Sequence, residues 1–130
     1  MKLHKIKIDG KVYTAAFNLN SLEKLAEMAG PFEDGRPLDA NDLMQLWTTQ
    51  QGIIRCALVL IREGERMEGR ECDLDEDYIR AHMSPAEHMW LQRKVAAIMV
   101  DGMRMETLAD DEEEVDEVLE ELKKKLTTEE

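Results

Sequence analysis

The stretch Gly52–Arg62, GIIRCALVLIR, is the most apolar run in the chain and dictates the plan of the fold. Ile53, Ile54, Ala57, Leu58, Val59, Leu60 and Ile61 cover nearly every direction around a helix, with only Arg55 and Cys56 between them. A bilayer span needs about 20 apolar residues, so this run is too short to be one. Its β-branched content also suits a buried strand, and periodicity alone does not separate the two. Length decides. Asn41–Gln50 leads into the run without a proline, and Leu43, Met44, Leu46 and Trp47 recur there at helical spacing. One helix is therefore expected over 41–62, bent at Gly52, where the missing side chain weakens helix preference by about 1 kcal/mol relative to Ala. A helix apolar on most sides must be wrapped by the rest of its domain.

The material for wrapping it lies on both sides. Residues 2–17 alternate around Asp9-Gly10, with Leu3, Ile6 and Ile8 before it and Val12, Tyr13 and Phe17 after. Asp-Gly between alternating segments signals a two-residue hairpin, because a type I′ turn needs positive φ at both central residues. A lone hairpin is marginal and needs a packed helix. The helix expected over 20–29 supplies it, capped by Asn20 or Ser21, with Glu23 three residues after Asn20. Its apolar stripe is Leu22, Leu25, Ala26 and Met28 or Ala29, and Gly30-Pro31 ends it. Residues 31–40 read as a loop anchored by Phe32 or Leu38.

After the central helix, Glu63–Cys72 is polar, carries two glycines and has no period, which reads as a mobile connector. A short helix follows over 75–83, with Leu74, Tyr78, Ile79 and Met83 inward. Ser84-Pro85-Ala86-Glu87 combines a Ser cap, Pro at the first helical position and Glu at the third. That helix is expected over 84–105, burying Met89, Trp90, Val95 or Ala96, Ile98, Met99 and Met103. The fold class is thus α+β: a two-stranded hairpin packed on about four helices. A single globular domain is expected over 1–108, with a separate acidic segment over 109–130.

Charge sharpens that division. The net charge is -12, and residues 106–130 hold twelve acidic and three basic residues, a net of -9. Phosphate affinity rests on Lys and Arg, so nucleic acid is not an expected partner. Within the acidic segment Val115, Val118, Leu119, Leu122 and Leu126 fall at i, i+3, i+4, i+7 and i+11, one narrow helical stripe. Acids lead the segment and Lys123–Lys125 close it, in keeping with the helix dipole. A solvated tail explains the charge. Such a tail has no need of five aliphatics in register, and a helix that presents its stripe to a partner groove, or to the body itself, is the competing reading.

No constellation reads as a catalytic or cofactor site. His82 and His88 straddle Pro85 and share no helical face, so with Glu87 they do not make the spacing of a zinc protease. Asp73, Asp75 and Asp77 alternate like the start of a calcium loop, but Tyr78 and Ser84 stand where that loop needs Gly and Glu. Cys56 and Cys72 form no disulfide framework and are expected as free thiols in a reducing cytoplasm. No charged-then-apolar leader opens the sequence, which points the same way.

A hairpin of the form KIKIDGKVYTAAFNL running straight into NSLEKLAEMAG, then helices, then a charged stretch resembles the tail assembly chaperones of long-tailed bacteriophages and prophages. The resemblance is clearest over residues 4–30 and fades toward residue 105. It implies a non-enzymatic cytoplasmic protein that binds the tape-measure protein, keeps it soluble and brings tail-tube subunits to it. Members of the family often have a longer frameshifted form, and Lys123–Lys125 suits an A-rich slippery run. A chaperone for a long helical protein needs adaptable apolar surface, and methionine supplies it. The expected contact residues are Met89, Met99, Met103 and Met105, with Val115, Val118, Leu119, Leu122 and Leu126. Core packing is the plainer explanation for each methionine singly. The rival readings are a structural component of the phage tail or head-tail junction, and an acidic interaction or inhibitor protein. Self-association stays open.

Overall fold

The computed structural model describes residues 2–30 and 39–103. Strands β1 (Leu3–Ile8) and β2 (Lys11–Ala16) are followed by five helices: α1 (Leu19–Ala29), α2 (Ala40–Gln45), α3 (Gln50–Met67), α4 (Glu76–His82) and α5 (Pro85–Gly102). The expected α+β class holds. Of the loop expected over 31–40, residues 31–38 with Phe32 and Leu38 lie outside the described residues, and Ala40 already opens α2 with Asp39 as its cap. Among those described, no helix is long and apolar enough to cross a membrane.

The hairpin forms as its turn dictates. Asp9 and Gly10 take φ of 51° and 80°, and the register pairs Ile8 with Lys11 and Leu3 with Ala16. Asn18, not Asn20 or Ser21, caps α1. Its side chain accepts from the Ser21 N–H at 3.0 Å, and the Ser21 hydroxyl accepts from the Asn18 N–H at 2.8 Å. A serine thus takes the reciprocal role sought in Glu23. The cap sits immediately after the strand pair, so the chain passes from sheet to helix with almost no loop.

The stretch 41–62 is two helices, not one bent helix. Thr49 caps α3 by accepting from the Gly52 N–H at 3.0 Å, and the turn Leu46–Thr49 folds back over that first helical turn. A Cβ at Gly52 would stand 2.9 Å from the Thr49 hydroxyl and closer still to the Leu46 carbonyl. Glycine is there for close approach, and the Thr cap ends the ambiguity between a bend and a break.

Residues 63–72 are not a mobile connector. α3 continues to Met67, and Glu63, Gly64 and Glu65 are buried. A Cβ on Gly64 would fall 2.6 Å from the Ala15 Cα, so its absence lets α3 lie flush on the β2 backbone. Glu65 accepts from the Thr14 N–H at 3.4 Å and is ion-paired with Arg70 at 2.5 Å. Thr14 in turn accepts from Lys5 at 2.9 Å and from Arg70 at 3.1 Å. The second glycine, Gly69, closes the helix: its φ is 76°, its N–H donates to Arg66 C=O at 3.0 Å, and the Arg70 N–H donates to Glu65 C=O at 2.9 Å. This pair of bonds is a Schellman cap.

The core runs between the inner hairpin face and α3, with α1, α4 and α5 around it: Ile6, Ile8, Leu25, Ile54, Leu60, Ile61, Ile79, Leu91, Val95 and Ile98 are all essentially inaccessible. Helix α4 follows the expected range, capped by Asp75, which explains one of the three alternating aspartates. Tyr78 is not inward. It is 41% exposed, and its hydroxyl donates to Asp9 at 2.6 Å, tying α4 to the hairpin turn.

Candidate interaction surface

Helix α5 begins as its sequence requires. Ser84 accepts from the Glu87 N–H at 3.2 Å, Glu87 accepts from the Ser84 N–H at 3.2 Å, and Pro85 fills the first turn. This box fixes where the helix starts, and packing sets its rotation. Leu91, Val95, Ile98 and Met99 face inward. Two bonds tie the helix to the α2–α3 corner: Trp47 Nε1 donates to Met99 Sδ at 3.1 Å, and Gln92 donates to the Trp47 carbonyl at 3.1 Å.

The same rotation turns other apolar residues out. Met89 is 60% exposed, Trp90 50% and Val100 47%, and Met103 at the helix end is exposed as well. Trp90, Ala97 and Val100 recur at i, i+7 and i+10, a stripe on the outer face, with Arg93 and Lys94 beside them. Burial was expected of Met89, Trp90 and Met103, so those three are corrected. Eighteen residues rich in apolar side chains at every angle cannot all face one core, and Leu91 rather than its neighbour Trp90 took the inward position. Met99, expected both in the core and as a contact residue, is 1% exposed and lies in the core. Met105, Val115, Val118, Leu119, Leu122 and Leu126 lie outside the described residues.

One end of the stripe adjoins an open groove of about 440 Å³ where α4 turns into α5. Ile54, Ile79, Met83, Pro85 and Met89 give it apolar walls, and Gln50, Arg80 and His88 supply polar atoms. Arg80 is bound to Glu76 and Asp77 at 3.0 and 2.6 Å, so its charge is largely spent within α4. His82 stacks on Tyr78 at 4.1 Å, and His88 Nε2 lies 3.4 Å from the Gln50 carbonyl. With Glu87 used as a cap, the three residues weighed for a metal each have a separate local role. Among the described residues, no three His, Cys, Asp or Glu side chains gather as a ligand set.

The other end of the stripe meets β1. Lys2, His4, Lys94, Ala97, Val100 and Asp101 line a shallow depression there, and His4 Nε2 stands 3.9 Å from the Asp101 carboxylate. Burial pushes the His4 pKa down, and the charges of Lys2 and Lys94 add to it against the pull of Asp101. The depression sets Lys2 and Lys94 beside the apolar Ala97 and Val100.

Comparison of the chain with protein-family models, with curated proteins and with solved structures finds no match.

Proposed function

We propose that the protein is a non-enzymatic assembly chaperone that binds another polypeptide through the outer face of α5. The partner that the resemblance of its hairpin-and-helix order implies is the tape-measure protein of a long-tailed phage or prophage, with tail-tube subunits brought to it in the bacterial cytoplasm. The observation that carries the reading is the exposure of Met89 and Trp90 on a helix whose inner face is already filled. Large apolar side chains left out of a completed core form a binding surface when they are contiguous. Methionine adapts its shape to irregular helical partners, and tryptophan supplies the anchor area typical of binding hot spots.

Co-expression with the tape-measure protein of the same phage genome tests this. The expected result is soluble tape-measure protein that co-purifies with the chain, and finished particles that lack the chain. Tape-measure protein that stays insoluble and uncaptured overturns the proposal. Recovery of the chain in stoichiometric amounts from purified particles assigns it instead to the tail or the head-tail junction.

A further inference from the structure

We infer that the acidic segment 106–130 docks in cis across the open edge of β1 and the adjoining Val100 end of α5. Three independent features place it there, and none depends on the identity of a partner.

The first is the edge itself. Lys5 stands opposite Thr14, and the Thr14 N–H points away from β1 toward Glu65. Antiparallel alternation then directs the backbone groups of Leu3, Lys5 and Lys7 outward as well. On β2 the corresponding edge is covered by Gly64 and Glu65. Among the described residues, nothing bonds to the outward backbone of β1. A bare edge of this kind invites pairing or cover.

The second is charge. Residues 2–17 carry four lysines against one aspartate, while 106–130 carry twelve acids against three lysines. Among the described residues Lys2, Lys5, Lys7 and Lys94 have no carboxylate partner. A second copy pairing β1 with β1 would set these lysines against their own kind, which disfavours that occupant.

The third is the route of the chain. α5 ends at Gly102, where an added Cβ would stand 2.9 Å from the Phe17 ring, and Asp101 neighbours His4. The chain therefore leaves the described body beside the start of β1, and the first acid of the segment, Glu106, comes three residues after Met103. β1 is about 20 Å long at ~3.3 Å per residue, and the 22 residues from Ala109 onward span about 33 Å even if fully helical. Reach is ample. The aliphatic stripe at Val115, Val118, Leu119, Leu122 and Leu126 offers apolar contacts to the exposed Leu3 and Val100.

Zero-length carbodiimide cross-linking of the full chain, with peptide mapping of the monomer band, tests the assignment. Lys2, Lys5, Lys7 and Lys94 should join to acids of 106–121 about tenfold more than Lys24 of α1 does, and 0.5 M salt should remove most of that preference. In the full-length variant Glu112→Gln, Glu113→Gln, Glu114→Gln, amide exchange at Leu3, Lys5 and Lys7 should rise about tenfold. Equal cross-linking of Lys24, or unchanged exchange at those three amides, overturns the inference. Cross-links confined to the dimer band overturn the cis assignment in favour of a second copy's segment. No partner protein is present in either measurement, so failure here leaves the proposed function to be judged separately.

Discussion

Glu63 gathers partners from two separate parts of the chain. Its carboxylate accepts from Asn18 at 2.9 Å, Asn20 at 3.0 Å and Arg66 at 2.6 Å, joining the sheet-to-helix corner to α3. Those bonds, with Arg66 foremost, outweigh burial and hold its pKa at about 2. A carboxyl held below its unfolded value stabilises the fold above that value, about 4.3. The contribution fades as pH falls toward 2. Glu63→Gln should therefore cost about 1.5–3 kcal/mol at pH 7, and less at pH 2.5, as urea unfolding at the two pH values will show. Cys56 lies at the opposite extreme: burial pushes its thiol up to about 12. Native protein should expose one fast-reacting thiol to an aromatic disulfide reagent, at Cys72, with Cys56 reacting only on unfolding. Two fast thiols would contradict the packing around α3.

At the scale of elements, the contact that organises the fold is α3 against the edge of β2. Gly64→Ala forces a methyl into the Thr14–Ala15 backbone, and should cost about 1–3 kcal/mol in denaturant unfolding, typical of overpacking. A neutral result would mean that the helix stands off the strand. This contact also marks where sequence was legible and where it was not. The hairpin turn, the stop at Gly30 and the Ser84 box were readable, because each rests on local chemistry between residues at most four apart. The run of Glu63–Cys72 was not. Its glycines and charges look like a loop in isolation, but one glycine admits a strand and the other ends a helix, and the glutamates satisfy groups about 50 positions away in the chain. The break at Leu46–Thr49 was half legible. Thr49 and Gly52 stood at cap spacing, but no proline announced the boundary.

For the whole molecule, the same reasoning explains the exposed apolar face of α5. Met89 and Trp90 lie in a helix whose pattern suits a core at many angles, and only the inward packing of Leu91, Val95 and Ile98 reveals them as outward. Met99, equally eligible on sequence, is claimed by Trp47 and the core. A surface defined by what the core leaves over depends on the complete packing, so no local pattern could single it out. Because these side chains already face water, removing them should spare the fold. The direct measurement is the double substitution Met89→Ser, Trp90→Ser in the full chain, with thermal unfolding and tape-measure co-purification followed side by side. The account predicts a stability change below about 1 kcal/mol and a loss of capture of at least about tenfold, the weight of one hot-spot residue. Capture that persists at the wild-type level in the folded variant would contradict it.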